Sequence, residues 1–226
     1  MKDGMGRAPV VGIVGAGQLA RMMCQAAIPL GIRVRVLAER PDDAAALIAA
    51  DVSLGSPRSV DDLTAFAAQC DVVTFDHELV DAVALERTGR AVWPSSAAVA
   101  VAQDKIHQRT LFTEHGFPVP PHRTVADLAE VKAFGAEFGW PVVLKAARGG
   151  YDGRGVWVLA GEAEADREAP AILEQAAPVL AETWVPIERE LAVLVARRPS
   201  GQMVTYPVVE TVQRDGICHQ LRVPAP

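Results

Sequence analysis

Cysteine is scarce in this 226-residue chain. The three cysteines, Cys24, Cys70 and Cys218, are odd in number and far apart in the sequence. A disulfide-stapled secreted domain needs paired cysteines, and a structural zinc site needs closely spaced ones. The sequence therefore predicts reduced thiols and a cytoplasmic protein.

Long apolar runs and an excess of positive charge are also missing. No stretch approaches the roughly 20 apolar residues that span a membrane, and the run after MKDGMGRAP is short and interrupted by glycine, unlike a signal peptide. The net charge is −6, with both signs interspersed, so no basic face is offered to nucleic acid or to an anionic membrane. We expect neither partner, and a small-molecule substrate is favoured.

Hydrophobic residues make up 50% of the chain, which suffices for a globular protein with one or two cores. In the first part of the sequence, apolar runs such as residues 10–14 and 71–75 alternate with helix-compatible stretches. Strands that alternate with helices favour an open, largely parallel sheet. We place this sheet over residues 9–95 and the first domain over residues 1–95.

The pattern changes after residue 95. A serine at 95 or 96 caps a predicted helix that ends at His115, and three prolines then mark a linker. We assign residues 96–121 to this helix and linker. Residues 122–226 contain short strands around a glycine-rich segment, and the turn Pro199-Ser200-Gly201 predicts an antiparallel hairpin. This last part is predicted to be α+β.

The first glycine motif, Gly15-Ala16-Gly17-Gln18-Leu19-Ala20, follows the first apolar run. Its G-x-G-x-x-A form allows backbone N–H groups at a helix N-terminus to approach an anion. Three interpretations stay open: a tight turn with no ligand, a mononucleotide phosphate site, and a dinucleotide site in which Glu39 binds a ribose. The last would make the chain an oxidoreductase.

The second glycine motif is more specific. Lys145 ends an apolar run, and four glycines follow within ten residues, in the order Arg148-Gly149-Gly150-Tyr151-Asp152-Gly153-Arg154-Gly155. A fixed cation beside a flexible loop is suited to polyphosphate. The spacing of a Walker loop is absent from the sequence. The alternative is a mobile glycine hairpin with an exposed lysine, since charged residues between glycines are ordinary in turns.

Three segments resemble, in the same order, the 5-(carboxyamino)imidazole ribonucleotide synthase family of the ATP-grasp superfamily. GGYDGRG at 149–155 resembles the phosphate loop of the ATP-grasp fold in that family's wording. GAGQLARM at 15–22 is similar to GGGQLGRM, and VETVQRDGI at 209–217 to VENVHRDGI. The resemblance implies an α/β fold class, in which an N-terminal open parallel, Rossmann-like pre-ATP-grasp sheet precedes an incomplete α+β ATP-grasp domain.

The resemblance also implies which residues bind ATP. Lys145 and Arg154 would be catalytic. Lys105 stands where the family has a basic ATP contact, although a solvated helix face is an equal alternative from the sequence alone. The segment from Glu182 resembles the hinge that meets adenine, and Glu190 the acid on the ribose hydroxyls, but either acid could lie on a solvated edge. The whole set carried over for the nucleotide is Lys105, Lys145, Gly150, Tyr151, Asp152, Gly153, Arg154, Gly155, Val156, Glu182, Thr183, Trp184, Val185 and Glu190.

A second substrate, 5-aminoimidazole ribonucleotide, is implied in the same way. The residues carried over for it are Gly17, Gln18, Leu19, Glu78, Tyr151, Asp152 and Arg154. Glu78 follows the apolar run 71–75, at the edge where open α/β sheets bind ligands. Its alternative is a structural acid in the first turn of a helix that Asp76 caps.

The implied reaction is the ATP-dependent carboxylation of 5-aminoimidazole ribonucleotide with bicarbonate through carboxyphosphate, a step of de novo purine biosynthesis catalysed by a C–N ligase. The family uses Mg²⁺, whose acidic ligands are expected beyond residue 226, and a homodimer is expected. Gln213 stands where the family has histidine, so one nucleotide contact is expected to differ. The sequence leaves open whether the 226 residues are active or an inactive fragment. Another ATP-grasp ligase and a non-catalytic nucleotide-binding module stay as alternatives.

Overall fold

The computed structural model describes residues 8–150, 154–214 and 216–226. Their contacts divide the chain after Gln103 into two compact units, residues 1–103 and 104–226. The division into 1–95, 96–121 and 122–226 stays a prediction.

The first unit is built around a parallel sheet. Its strands are β1 (Val10–Val14), β2 (Arg33–Ala38), β3 (Asp51–Leu54), β4 (Val72–Phe75) and β5 (Ala91–Val92). Its helices are α1 (Gln18–Ala27), α2 (Val60–Ala67), α3 (Ala82–Arg87) and α4 (Ser96–Gln103), with a short 3-10 helix at Ile28–Leu30. The strand order is β3-β2-β1-β4-β5, and all neighbours are parallel. This confirms the predicted open, Rossmann-like sheet.

Both faces of the central strands are covered. Ile13 and Val36 belong to a core that includes residues of α1, whereas Val14 and Leu37 belong to a second core that includes residues of α2, such as Phe66. Successive side chains of a strand point to opposite faces, so a strand that is buried on both faces reads as a continuous apolar run. This is why residues 10–14 were recognisable from the sequence.

The second unit begins with α5 (Lys105–Glu114) and contains a four-stranded antiparallel sheet. The strands are β6 (His122–Val125), β7 (Val142–Ala146), β8 (Val156–Leu159) and β9 (Val179–Thr183), in the order β6-β9-β7-β8. Helices α6 (Leu128–Phe138) and α7 (Glu162–Ala176) supply residues to its core. Phe134 of α6 and Leu144 of β7 are among the fully buried side chains.

The single helix predicted to run to His115 is wrong, because the chain forms α4 and α5 instead. Asp104 between them has an extended backbone, with φ −131° and ψ 111°. Its Oδ1 accepts the backbone N–H groups of Ile106 at 2.9 Å and His107 at 3.1 Å. An aspartate at the N-cap satisfies donors that a helix start leaves unpaired, so Asp104 ends one helix and begins the next.

The remaining strands form two small sheets. They are β10 (Glu190–Ala192), β11 (Val195–Arg197), β12 (Met203–Thr205), β13 (Val209–Arg214) and β14 (Ile217–Arg222). One sheet has the order β10-β13-β14, and β11 pairs with β12. The β11–β12 pair is antiparallel, which confirms the hairpin predicted from Pro199-Ser200-Gly201. In the other sheet, the buried Glu210 accepts a hydrogen bond from Arg222 at 2.9 Å.

The cysteines are free thiols in this structure. Cys24 and Cys70 are buried, and burial raises the pKa of Cys70 to about 11. A buried thiol with a raised pKa is a poor nucleophile, so neither side chain suggests a reactive site. None of the helices in the described part of the chain is long and apolar enough to cross a membrane.

Candidate nucleotide site

The central feature of the second unit is a buried carboxylate between two cations. Glu182 on β9 lies opposite Val143 of β7, and Lys145 lies two residues further along β7. The two side chains therefore point to the same face of the sheet. Lys145 Nζ donates to Glu182 Oε2, and Arg109 Nε from α5 donates to Oε1 at 2.5 Å. Within the described part of the chain, each carboxylate oxygen has one cationic partner.

The electrostatics of this group follow from its burial. Only 3% of the Glu182 side chain is exposed. Burial alone would raise the pKa of Glu182, but the hydrogen bonds and charges of Lys145 and Arg109 outweigh it and lower that pKa below its ordinary value. Glu182 is therefore ionised at neutral pH, and the three side chains carry one surplus positive charge.

Lys105 lies beside the glycine-rich loop. A Cβ placed on Gly150 would be 3.4 Å from Lys105 Nζ, and the backbone N–H of Lys105 donates to the Ala147 carbonyl at 2.9 Å. Residues 105 and 109 are four apart on α5, which places them on one face of the helix. The helix turns this face towards the loop and the carboxylate, and a contact of Lys105 with ATP stays a prediction.

Backbone contacts join the described ends of the glycine-rich segment. The Ala146 N–H donates to the Gly155 carbonyl at 2.9 Å, and both Gly149 and Gly155 have positive φ, 75° and 72°. A side chain at Gly150 would meet the Arg154 carbonyl at 2.7 Å. A cavity of about 320 Å³ is lined by Gly149, Gly150 and Gly155, and also by Arg148, Trp157 and Gln175. Tyr151, Asp152 and Gly153 lie outside the described residues.

The predicted adenine and ribose residues are partly grouped with this site. Thr183 ends β9, directly after Glu182, and Trp184 and Val185 follow it with their side chains about half exposed. The backbone N–H of Trp184 donates to the Pro141 carbonyl at 3.3 Å. Glu190 begins β10 in the separate sheet β10-β13-β14, where its side chain is exposed. Val156 begins β8 and is 39% exposed.

The carboxylate of Asp76 lies against the first glycine motif. The Gly17 N–H donates to Asp76 Oδ2 at 2.9 Å, and only 4% of the Asp76 side chain is exposed. Gly15 has φ +103°, and a Cβ there would lie 1.8 Å from Asp76 Oδ1. The glycine therefore makes room for this carboxylate, which takes the N–H group that a phosphate would need.

Glu78 lies in a depression of the first unit, not in a helix. A cavity of about 290 Å³ is lined by Asp76, His77 and Glu78 together with residues of α4. Helix α3 begins at Ala82 and is capped by Asp81. The alternative in which Asp76 caps a helix containing Glu78 is therefore wrong. Leu19 borders a second, largely apolar depression with Met22 and Met23.

The acidic, histidine and cysteine side chains were expected to offer no magnesium site within these residues. Across residues 8–150, 154–214 and 216–226, no group of three or more histidine, cysteine, aspartate or glutamate side chains is arranged to hold a metal ion. The described residues offer fixed cations to a polyphosphate and no oxygen-rich cage of the kind Mg²⁺ uses.

Two family models match the chain. A ribonucleotide synthetase preATP-grasp domain matches residues 9–103, and an ATP-grasp domain matches residues 110–226. The chain belongs to the ATP-grasp family. The ATP-grasp match falls within the second unit, which contains Lys145, Glu182 and the glycine-rich loop, and the pre-ATP-grasp match falls within the first.

Individual relatives are more specific than the two family models. The chain is 46% identical over 231 residues to the N5-carboxyaminoimidazole ribonucleotide synthase of Mycobacterium leprae, an alignment that covers 98% of this chain and 53% of the relative. This confirms the resemblance recognised from the three sequence segments. The chain spans about half the length of the curated relatives it matches.

Solved structures agree with the ATP-grasp assignment. The carboxyaminoimidazole ribonucleotide synthase from Aspergillus clavatus complexed with ATP has a TM-score of 0.89 at 34% identity and covers 96% of this chain and 58% of its own. The N5-carboxyaminoimidazole synthase of the same organism, in complex with ADP and 5-aminoimidazole ribonucleotide, has a TM-score of 0.87 at 32% identity, with 97% and 57% covered. Both the fold class and the order of the two domains are confirmed.

Two residues of these sites were missed by the sequence reasoning. Arg109 contacts Glu182 across 73 positions and Asp76 contacts Gly17 across 59, and no local pattern marks either contact. A cue for Arg109 existed, because it lies four residues after Lys105 and therefore on the same face of a predicted helix.

Proposed function

We propose that this chain provides the nucleotide-binding part of an enzyme that carboxylates 5-aminoimidazole ribonucleotide with ATP and bicarbonate. The observation that carries the proposal is the group of Lys145, Glu182 and Arg109. Lys145 and Glu182 lie within residues 110–226, which the ATP-grasp model matches, and Arg109 directly precedes that segment. It is supported by the relatives, because the two Aspergillus clavatus complexes contain ATP, and ADP with 5-aminoimidazole ribonucleotide.

The proposed chemistry has two steps. A bicarbonate oxygen attacks the γ-phosphorus of ATP, the bond from that phosphorus to the β–γ bridging oxygen breaks, and carboxyphosphate and ADP form. The exocyclic amine of 5-aminoimidazole ribonucleotide then attacks the carboxyl carbon, the C–O bond to phosphate breaks, and the amine loses a proton. The products are N5-carboxyaminoimidazole ribonucleotide, ADP and phosphate.

The residues of the second unit are suited to the first step. Phosphoryl transfer depends mainly on positioning and on neutralising charge. In the proposal, Lys145 and Lys105 bind the phosphates, and residues 150–156 cover them, with Arg154 beside the transferred group. Thr183, Trp184 and Val185 receive the adenine, and Glu190 the ribose. A closed glycine-rich loop would also shield carboxyphosphate from water.

The second substrate is assigned to the first unit and to the loop. Gly17, Gln18, Leu19 and Glu78 would contact 5-aminoimidazole ribonucleotide, together with Tyr151, Asp152 and Arg154. Because Asp76 takes the Gly17 N–H, the ribose phosphate is not expected on that donor. Magnesium would balance the charge of ATP. The proposed enzyme is a homodimer and is located in the cytoplasm.

The test is ADP release by the 226-residue chain with ATP, magnesium, bicarbonate and 5-aminoimidazole ribonucleotide, each omitted in turn. Release that requires the ribonucleotide supports the carboxylation. Release that requires a different amine would favour another ATP-grasp ligase. Binding of ATP without release in any mixture would leave the nucleotide-binding module as the function of these residues.

Lys145→Ala is expected to lower ADP release, or ATP binding if there is no release, by about 100-fold, because the phosphates lose a fixed cation in a partly buried site. The fold should persist, since Glu182 keeps Arg109 as a partner. Lys132→Ala is the matched control, because Lys132 on α6 forms ion pairs with Glu162 and Asp166 on α7. Equal loss in both variants, or none in Lys145→Ala, would remove Lys145 from the mechanism.

A further inference from the structure

Arg109 has no assigned role, yet its environment is specific. It extends from α5 towards the sheet, its side chain is 18% exposed, and its Nε donates to Glu182 Oε1. Its Nη1 donates to the Gln108 side chain at 2.8 Å. An arginine that is mostly buried and fixed at two points has lost much of its side-chain freedom, so a contribution beyond surface charge is expected.

The charge count of the group depends on Arg109. With Arg109 present, two cations share one carboxylate, and the sum is one positive charge. Without it, Lys145 and Glu182 would form a neutral pair, and both carboxylate oxygens would be free to turn to the ammonium group. A polyphosphate would then have to compete with Glu182 for Lys145, since opposite charges at contact in a partly buried site attract strongly.

We propose that Arg109 is a positioning residue of the nucleotide site, which holds one oxygen of Glu182 and so leaves Lys145 a surplus positive charge for the nucleotide phosphates. The inference rests on the proposed function, because it takes the ligand of Lys145 to be a nucleoside polyphosphate. Arg109 acts through Glu182 and Lys145 and does not itself touch the phosphates.

The phosphate-directed effect can be separated from a structural one by comparing two ligands. ADP and adenosine share the base and the ribose, but only ADP meets the surplus charge. Arg109→Met is expected to weaken ADP binding by about tenfold, the equivalent of one charge-assisted hydrogen bond. Adenosine binding should change by less than about twofold. A general loosening of the fold would weaken both ligands alike and leave their ratio unchanged.

A second substitution tests the charge count directly. In Arg109→Met with Glu182→Gln, Lys145 loses the carboxylate with which it pairs among the described residues, so the surplus charge is restored and the ratio of ADP to adenosine affinity should return to the wild-type value. Removing both members of a buried ion pair is also tolerated better than removing one, so the double variant keeps the test decisive if Arg109→Met fails to fold. Arg109→Lys should retain the wild-type ratio.

The affinities are measured by isothermal titration calorimetry of the 226-residue chain with ADP and with adenosine. The control is Arg167→Met, because Arg167 is exposed and pairs with Glu164 and Glu168 on α7. An unchanged ratio in Arg109→Met, or a reduced ratio that the second substitution does not restore, overturns the inference and leaves the proposed function intact. Wild-type chain that binds neither ligand overturns both.

Discussion

At the scale of single residues, Glu182 links ionisation to stability. Its folded-state pKa is lowered below the ordinary 4.5, because the hydrogen bonds from Lys145 and Arg109 outweigh the effect of burial. A depressed carboxyl pKa contributes stability that is present above the unfolded-state value and is lost as the pH falls through the folded-state value. The second unit should therefore lose part of its stability in acid, below pH 4.5.

Glu182→Gln tests this linkage. At neutral pH the variant should unfold with a free energy about 3 kcal/mol smaller than wild type, because two cations lose their buried partner. The difference should shrink as the pH falls below 4.5, since the wild-type carboxyl is then protonated as well. Urea unfolding followed by tryptophan fluorescence measures both. Glu137→Gln is the control, because Glu137 forms an exposed pair with Arg123, and a difference that grows in acid would contradict the argument.

Which residues could be predicted depended on the distance along the chain. Lys145 and the glycines at 149–155 were found because they are adjacent in sequence and their chemistry is local. Arg109 and Asp76 were missed because their contacts cross 73 and 59 positions. Such contacts are decided by the packing of helices and strands, which periodicity alone does not specify.

At the scale of elements, helix α5 carries both Lys105 and Arg109 and is anchored at its start by Asp104. The sequence predicted one continuous helix through this point, since the alanine-rich residues before Asp104 and the polar residues after it are both compatible with a helix. An aspartate within such a stretch is also a strong N-cap candidate. In the structure Asp104 is the N-cap of α5. Its Oδ2 additionally accepts a hydrogen bond from Arg148 Nε at 2.9 Å.

Asp104→Ala should destabilise the second unit by about 1–2 kcal/mol, because two backbone donors of α5 lose their acceptor. Arg148→Met, which removes only the exposed ion pair, should cost less than about 1 kcal/mol. Nucleotide affinity should fall in Asp104→Ala as well, since Lys105 and Arg109 are on this helix. Chemical unfolding and ADP titration check the two effects. An Asp104→Ala chain as stable as wild type would show that the cap is dispensable.

At the scale of the whole molecule, the two units have different sequence signatures. The parallel sheet of the first was predictable because its central strands β1 and β2 are largely buried and its strands alternate with helices. The short strands β10, β11 and β12 are exposed along their length, and exposed strands show no apolar period that fixes their bounds. For that part of the chain, turn residues and the family resemblance were the better guides.

Hydrogen exchange can show which unit takes the nucleotide. Adding ADP should slow amide exchange in β7, β8 and α5, because Lys105, Lys145 and the glycine-rich loop are located there. Amide exchange in the segment from β1 to β2 should be unaffected by ADP, since the Gly17 N–H in its glycine turn already donates to Asp76. NADH serves as the comparison ligand. Protection confined to residues 10–38, with either ligand, would favour the oxidoreductase interpretation instead.

The carboxylate of Asp76 in the first glycine turn has a consequence for any ligand of that turn. A tethered group competes at an effective concentration in the millimolar range or above, whereas a free anion competes only at its own concentration. The Asp76 carboxylate therefore competes with any bound anion for the Gly17 N–H group. Redesigning this unit to accept a dinucleotide would have to begin by removing Asp76, before any favourable contact is added.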